Sequence, residues 1–137
     1  MKIQDIMNSK VVSISPDATT KDAARMMHDL HIGSLTVMED DQLVGIITDR
    51  DICCKVTATG RDAGWTKVNE IMATEVTTCY DDQDLTEAAS LMTEHHIRRL
   101  AVLKRDNSIS GFLSVDDLAR SSHDLASTVL EATTPFH

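Results

Sequence analysis

Aromatic and basic residues are scarce in this sequence, and each scarcity excludes a class of partner. Phe, Trp and Tyr together make up 3% of the chain, so few ring faces are available to stack nucleic-acid bases. Lys and Arg number 13 against 22 Asp and Glu, which gives a formal net charge of −9. A chain of that sign is repelled by duplex DNA and by anionic membrane surfaces. The composition therefore argues against nucleic acid and membrane as partners.

Cysteines and long apolar runs are also scarce. Cys53, Cys54 and Cys79 form an odd set without framework spacing, which argues against a secreted, disulfide-linked protein. No apolar run approaches the roughly 18 residues that a membrane span needs. The N-terminus has an early acid and no apolar core of a signal peptide. We therefore expect a cytoplasmic protein with reduced thiols.

The 137 residues contain an internal repeat with an offset of 65. Residues 7–37 and 72–102 share 10 identities over 31 positions. One extra residue then enters the second copy near 106–107, after which the alignment continues at an offset of 66. Such a duplication predicts two halves with one shared fold.

Each copy has the same order of predicted elements, which is strand, helix, two strands and helix. In the first copy, the strand at 11–14 precedes a helix whose apolar residues follow a helical period. A single unit of this kind leaves one face of its sheet uncovered, and two units can cover each other. We predict an α+β fold with copies at 1–60 and 66–122, followed by a C-terminal helix or tail at 123–137.

Two segments carry a resemblance to a known family. Gly-Ile-Ile-Thr-Asp-Arg-Asp at 45–51 and Gly-Phe-Leu-Ser-Val-Asp-Asp at 111–117 resemble the signature of CBS domains. The helix-to-strand segments at 31–37 and 96–102 are also similar to that family. The resemblance implies a Bateman module, in which two repeats pack by pseudo-twofold symmetry and usually dimerise into a flat disk. It also implies adenine nucleotides or related adenosyl ligands in the clefts between repeats.

The signature residues suit the binding of a nucleotide. The carboxylates of Asp51 and Asp117 can accept hydrogen bonds from the two hydroxyls of a ribose. The hydroxyls of Thr48 and Ser114, three residues earlier, can bind a phosphate or cap the following helix. The alternative is that the hydroxyls are only N-caps and that the aspartates only favour the helix dipole.

Basic residues near the two signatures are candidates for phosphate contacts. Arg98 matches a position where the family often has a basic side chain directed at ligand phosphates, and Arg99 follows it. Arginine offers paired donors to a phosphate, which Gly33 at the matching position of the first copy cannot. The first copy has Arg50 inside its signature instead. The alternative for these arginines is a surface ion pair with one of the many acids.

The adenine ring is expected to lie against the first strand of a copy, where backbone groups can read its edge. The residues in question are Val11, Val12, Val76 and Thr77. The sequence departs from the family at Thr36 and Ala101, where a proline is usual. Val115 replaces the acid found at Asp49, so the ribose contact of the second copy depends on Asp117 alone.

Weaker candidates are two histidine pairs, two adjacent cysteines and the C-terminal segment. His28 with His31, and His95 with His96, could ligate a metal, but no metal-binding motif supports this. Cys53 and Cys54 are expected to pack in or near the core, with thiol sensing as the alternative. Residues 121–137 predict a short amphipathic helix that packs on a partner subunit, followed by a frayed end.

Together these features predict a regulatory, stand-alone CBS-pair protein and not an enzyme. We expect it to bind AMP, ADP or ATP, with an adenosylmethionine or NAD-type ligand as a further option, and to require no cofactor. The ligand would shift the shape or assembly of a homodimer, and the output would pass to an unidentified effector protein. The alternatives are a structural or partner-binding dimerisation module with empty clefts, and a thiol or metal sensor.

Overall fold

The computed structural model describes residues 1–134 and divides the chain into two compact units. The repeat-1 unit comprises residues 12–76, and the repeat-2 unit comprises residues 1–11 together with 77–134. Each unit has one three-stranded sheet with helices. The predicted α+β class with two repeats is therefore confirmed. No helix in residues 1–134 is long and apolar enough to cross a membrane.

The elements follow the predicted order in both copies. The repeat-1 unit contains β1 (Ser13–Ile14), α1 (Thr20–Leu30), β2 (Ser34–Glu39), β3 (Gln42–Thr48) and α2 (Asp49–Ile52), which continues as a π-helical turn (Cys53–Thr57). The repeat-2 unit contains β4 (Thr78–Tyr80), α3 (Leu85–His95), β5 (Arg99–Leu103), β6 (Ile109–Ser114), α4 (Val115–Ser121) and α5 (His123–Thr133). Short 3₁₀ helices lie at Ile3–Asp5 and Val68–Glu70.

The two sheets have the same topology. In each, the first strand runs parallel to the second, and the second pairs antiparallel with the third. The first strands begin two residues later than predicted, because β1 starts at Ser13 and β4 at Thr78. The predicted adenine-reading positions at 11–12 and 76–77 therefore precede the strands.

The long helices begin and end where local chemistry favours it. Thr19 caps α1 by accepting a hydrogen bond from the Asp22 N–H, and Asp84 caps α3 by accepting one from the Thr86 N–H. Such caps satisfy backbone donors that the first helical turn leaves free. Both helices end at a histidine in the left-handed conformation, His31 or His96, with φ of 55° and 54°.

The residues that precede the first strand of each copy, which we call its lead-in segment, pack in the unit built mainly from the other copy. Ile3 is buried in the core of the repeat-2 unit, and Val68 and Ile71 are buried in that of the repeat-1 unit. The bounds of the compact units therefore differ from those of the two sequence copies. The copy bounds of 1–60 and 66–122 stay a prediction.

The signature glycines make room for these lead-in segments. A Cβ at Gly111 would lie 2.5 Å from the Asn8 carbonyl oxygen, and one at Gly45 would lie 2.8 Å from that of Ala73. The close backbone approach at each glycine is made by the chain itself, because each lead-in segment forms a β-bridge beside its glycine.

The C-terminal helix α5 packs against α3 and α4 of its own unit. Ala126 and Val129 are buried in the repeat-2 core, whereas Leu130 is 40% exposed. The apolar residues Ala126 and Val129 of this helix are used within the chain, and the expectation that the helix also packs on a partner subunit stays a prediction. The predicted frayed end extends into residues 135–137, which lie outside the described residues.

Candidate functional site

The signature of the repeat-1 unit forms a reciprocal hydrogen-bond pair at the start of α2. Thr48 Oγ1 accepts from the Asp51 N–H (3.1 Å), and the Thr48 N–H donates to Asp51 Oδ2 (3.0 Å). This arrangement is a capping box, which satisfies two backbone donors at the start of the helix. The capping role that the sequence offered as an alternative for Thr48 is present in the structure.

The repeat-2 signature has the same arrangement at the start of α4. Ser114 Oγ accepts from the Asp117 N–H (3.2 Å), and the Ser114 N–H donates to Asp117 Oδ2 (2.9 Å). The fold thus brings the predicted hydroxyl and carboxylate together in each unit. Capping uses one oxygen of each carboxylate and leaves Oδ1 to other partners.

Basic side chains contact the second oxygen of both aspartates. Lys55 Nζ lies 3.2 Å from Asp51 Oδ1, and an Arg120 terminal nitrogen lies 3.3 Å from Asp117 Oδ1. The aspartate side chains are only 18% and 10% exposed, whereas the basic side chains are 50% and 75% exposed. Pairs of this kind are weak because water competes for the cation. A ligand hydroxyl could therefore compete for the same oxygen.

The sequence analysis missed both of these basic partners. Lys55 follows Asp51 by four residues and Arg120 follows Asp117 by three. These spacings place side chains on one face of a helix, which was the available signal.

Two arginines lie beside the repeat-2 signature. Arg99 stands directly opposite Ser114 in the β5–β6 ladder, and the Arg98 carbonyl accepts a hydrogen bond from the Val115 N–H (2.9 Å). Both side chains are exposed. The fold therefore brings three of the predicted ligand contacts, Arg98, Arg99 and Ser114, to one strand end.

The repeat-1 unit has no arginine at the matching strand end. Ser34 stands opposite Thr48, and the Gly33 carbonyl accepts from the Asp49 N–H (3.0 Å). Arg50 is exposed on α2, one residue before Asp51. The two signatures thus share their backbone arrangement and differ in the positive charge beside it.

The Arg98 side chain faces the end of α5. Its Nε donates to Thr133 Oγ1 (2.9 Å), and a terminal nitrogen donates to Thr134 Oγ1 (3.4 Å). His96 Nδ1 lies 3.0 Å from the Ala132 carbonyl oxygen at the same helix end. Within residues 1–134, Arg98 forms no ion pair with an acid, so the ion-pair alternative is wrong for this arginine.

The four predicted adenine-reading residues, Val11, Val12, Val76 and Thr77, are all half-buried. Val11 ends the first segment of the repeat-2 unit, and Val76 ends the repeat-1 unit. The Val12 carbonyl accepts from both the N–H (3.3 Å) and the hydroxyl (3.1 Å) of Thr36. Ala101 occupies the matching position in the second copy and has no hydroxyl to donate.

The cysteines differ from the expectation of packing in or near the core. Cys53 and Cys54 are exposed, and Cys79 is buried. Burial raises the pKa of the Cys79 thiol to about 12, which keeps it protonated and unreactive near neutral pH. No group of three or more potential metal-ligating side chains lies together in the part of the chain that the structure describes.

The sequence matches the CBS domain family over residues 3–56 and 68–124. It is 38% identical over 117 residues to the CBS domain-containing protein YhcV of Bacillus subtilis, covering 85% of this chain and 82% of that protein. A solved structure of a putative signal-transduction protein with CBS domains from Burkholderia ambifaria superposes with a TM-score of 0.81. That match has 29% identity and covers 100% of this chain and 98% of the other.

A hexameric CBS-CP12 protein from bloom-forming cyanobacteria is also similar, with a TM-score of 0.80 at 32% identity. The match covers 89% of this chain and 68% of that one. Both copies of the repeat, the two signatures and the sheet topology agree with these findings. The chain belongs to the CBS-domain family, as a CBS-domain pair of the regulatory, signal-transduction kind.

Proposed function

We propose that the protein is a sensor of an adenine nucleotide, with its main ligand contacts in the repeat-2 unit. The observation that carries this proposal is the clustering of Arg98 and Arg99 beside Ser114 at the end of β6, where Asp117 follows in α4. A nearly buried carboxylate suits a ribose diol, and exposed guanidinium groups suit phosphate oxygens. The cluster provides both chemistries within a few residues.

Three contacts are assigned within this site. Asp117 would accept hydrogen bonds from the ribose hydroxyls through Oδ1, in place of its weak pair with Arg120. Arg98 and Arg99 would bind phosphate oxygens, and the Ser114 hydroxyl lies where it could join them. For Arg98, this means releasing the hydroxyls of Thr133 and Thr134.

The backbone before β4 would read the adenine. The amino group of adenine can donate a hydrogen bond to the Thr77 carbonyl. No side-chain hydroxyl competes for this carbonyl, because position 101 is an alanine. In the repeat-1 unit, the Val12 carbonyl already accepts two hydrogen bonds from Thr36. We assign the repeat-1 residues Thr48, Arg50 and Asp51 to a weaker second site, with Val11, Val12 and Val76 as backbone contacts.

Release of Arg98 links ligand binding to α5. Because Arg98 holds the last turn of α5 through two threonine hydroxyls, a phosphate that takes this guanidinium frees that turn. The signal would thus reach the end of α5, from where an effector protein could read it.

We also propose that the protein associates with copies of itself, on the ground that a similar CBS-domain protein is hexameric. Light scattering after size-exclusion chromatography tests whether the assembly is a homodimer.

A thermal-shift panel of AMP, ADP, ATP, adenosylmethionine and NAD tests the proposal. A ligand at 100 times its Kd should add about 2.7 kcal/mol to the free energy of unfolding, which raises the Tm by several degrees for a chain of this size. Arg98→Ala should reduce the shift, whereas its matched control Arg50→Ala should retain most of it. Absence of a shift with every ligand would overturn the sensor and leave a dimerisation module.

A further inference from the structure

The last turn of α5 presents two oxygen acceptors to the guanidinium group of Arg98. Arg98 Nε donates to Thr133 Oγ1 (2.9 Å), and a terminal nitrogen donates to Thr134 Oγ1 (3.4 Å). Each threonine hydroxyl donates its own hydrogen within the helix, to the carbonyls of Val129 (2.8 Å) and Leu130 (2.6 Å) respectively. Both hydroxyl oxygens are therefore left to accept, which suits a guanidinium that offers only donors.

The ring of His96 contacts the same turn of α5. Its Nδ1 lies 3.0 Å from the Ala132 carbonyl oxygen, and because a carbonyl can only accept, Nδ1 carries the hydrogen of this bond. The C-terminal end of a helix carries partial negative charge, which favours a cation such as Arg98 there and disfavours a phosphate. His96 and Arg98, which are both exposed, thus hold the end of α5.

The phosphate of a bound nucleotide and the last turn of α5 require the same guanidinium group. Given the nucleotide site proposed above, on which this inference rests, we propose that Thr133 and Thr134 are an internal competitor for the phosphate-binding arginine. His96 stabilises the competitor, and only a ligand that carries a phosphate displaces it. The first copy has Gly33 where Arg98 stands, so the competition belongs to the repeat-2 unit.

The internal competitor separates two classes of adenosyl ligand. AMP, ADP and ATP carry phosphate oxygens that can accept both donors of Arg98 as a charged pair, which is stronger than two hydrogen bonds to neutral hydroxyls. Adenosine and adenosylmethionine carry no phosphate, so they would bind and leave α5 held. By linkage, the held turn lowers the affinity for a phosphorylated ligand and does not change the affinity for an unphosphorylated one.

Calorimetric titration of AMP, ADP, ATP and adenosine into the double variant Thr133→Val/Thr134→Val tests the competition. Valine keeps the shape of threonine and removes the acceptor oxygen. A nucleotide should therefore bind about threefold or more tightly, since one hydrogen bond corresponds to about two- to tenfold in affinity. The affinity for adenosine should not change.

Thr128→Val is the matched control for the double variant. Thr128 is exposed on α5, and its hydroxyl makes the same bond to the carbonyl four residues earlier, that of Asp124 (3.0 Å). The control therefore loses the same bond within the helix, and it should leave the affinity for every ligand unchanged.

His96 is a positioning residue, and its variant has a matched control in the other copy. His96→Asn removes the ring and keeps a residue that tolerates the left-handed conformation. It should raise the affinity for a nucleotide, whereas loss of a merely structural residue would lower that affinity or leave it unchanged. His31→Asn replaces the histidine that ends α1 with a φ of 55°, and it should not change the affinity.

Amide exchange measured by NMR reports on the last turn itself. The Thr134 N–H donates to the Leu130 carbonyl (2.9 Å), so its exchange rate rises when this turn opens. A saturating nucleotide should speed this exchange about twofold or more, as for the loss of one hydrogen bond, and saturating adenosine should not. Arg98→Ala should speed it in the free protein and remove the further effect of nucleotide.

Two results would overturn the internal competitor while the proposed sensor stands. One is a nucleotide that binds with an affinity that Thr133→Val/Thr134→Val leaves unchanged. The other is a Thr134 exchange rate in the free protein that Arg98→Ala leaves unchanged, which is measured without ligand. If no nucleotide binds, the proposed sensor fails and the competitor fails with it, so the two failures are distinguishable.

Discussion

The two copies of the repeat keep one backbone plan and differ in what surrounds it. Both have the parallel–antiparallel sheet, the capping box and the glycine beside a lead-in segment. The repeat-2 copy adds Arg98 and Arg99 beside its signature and covers its helices with α5. The repeat-1 copy has neither and keeps an open groove between α1 and α2. The two copies thus share a backbone plan and differ in local charge and in how much of their helices is covered.

The largest expected effect tests whether α5 is part of the repeat-2 core. Val129→Asp places an unpaired charge at a completely buried site, and we expect it to lower the free energy of unfolding by roughly 3 kcal/mol or more. Urea denaturation measures this loss. The control Leu130→Asp, at the next and exposed position of the same helix, should change stability by less than about 0.5 kcal/mol. Similar losses in both variants would show that α5 is not docked as described.

Replacing either signature glycine should have an intermediate effect on the free energy of unfolding. Gly111→Ala should cost about 1–3 kcal/mol, because the new methyl group meets the Asn8 backbone at 2.5 Å. Gly45→Ala should cost somewhat less, because the nearest backbone atom is the Ala73 carbonyl oxygen at 2.8 Å, and the atom at 2.7 Å belongs to the Met72 side chain, which can move.

Gly64→Ala is the matched control for these glycines, since only the Asp62 side chain lies near it, at 3.2 Å. Thermal and urea unfolding of the three variants rank the costs. A cost for Gly64→Ala as large as that for Gly111→Ala would contradict the role assigned to the lead-in segments.

The smallest effect concerns the different caps of α1 and α3. The N–H of Thr86 lowers the pKa of the Asp84 carboxyl below its ordinary 3.8, while Thr19 does not titrate. A lowered pKa gives stability that is present above the unfolded value and is lost as the pH falls through the folded value. Asp84→Thr should therefore reduce the loss of stability below about pH 4. Urea midpoints between pH 6 and pH 2.5 check this, and identical pH profiles would contradict it.

Most of the fold could be predicted because its signals are local. Hydrophobic period, capping residues and the repeat itself indicated the strands and helices around Thr19, Asp84 and both signatures. Two features could not be predicted, namely the packing of residues 1–11 in the repeat-2 unit and the docking of α5. Both depend on contacts between distant parts of the chain. The amphipathic pattern of a helix predicts that one of its faces is buried, but it does not identify the surface against which that face packs.

The candidate site was predictable in part for the same reason. The pairing of each hydroxyl with the aspartate three residues on follows from helix geometry, and it appears in both copies. The position of Arg99 opposite Ser114 depends on strand register, which the repeat alignment alone does not set. The contact of Arg98 with Thr133 joins positions 35 residues apart and carries no sequence signal.

The most direct test of the central claim is a calorimetric titration of AMP, ADP and ATP into the protein, Asp117→Asn and Asp51→Asn. Each variant alters the capping box of its own unit, and the two boxes have the same arrangement, so a loss of helix stability affects both variants alike. We predict that a nucleotide binds the unmodified protein and Asp51→Asn with similar affinity. Asp117→Asn should bind it about tenfold or more weakly, since a hydrogen bond to a charged group is worth about 1.5–3 kcal/mol. Absence of binding, or a loss confined to Asp51→Asn, would contradict the account.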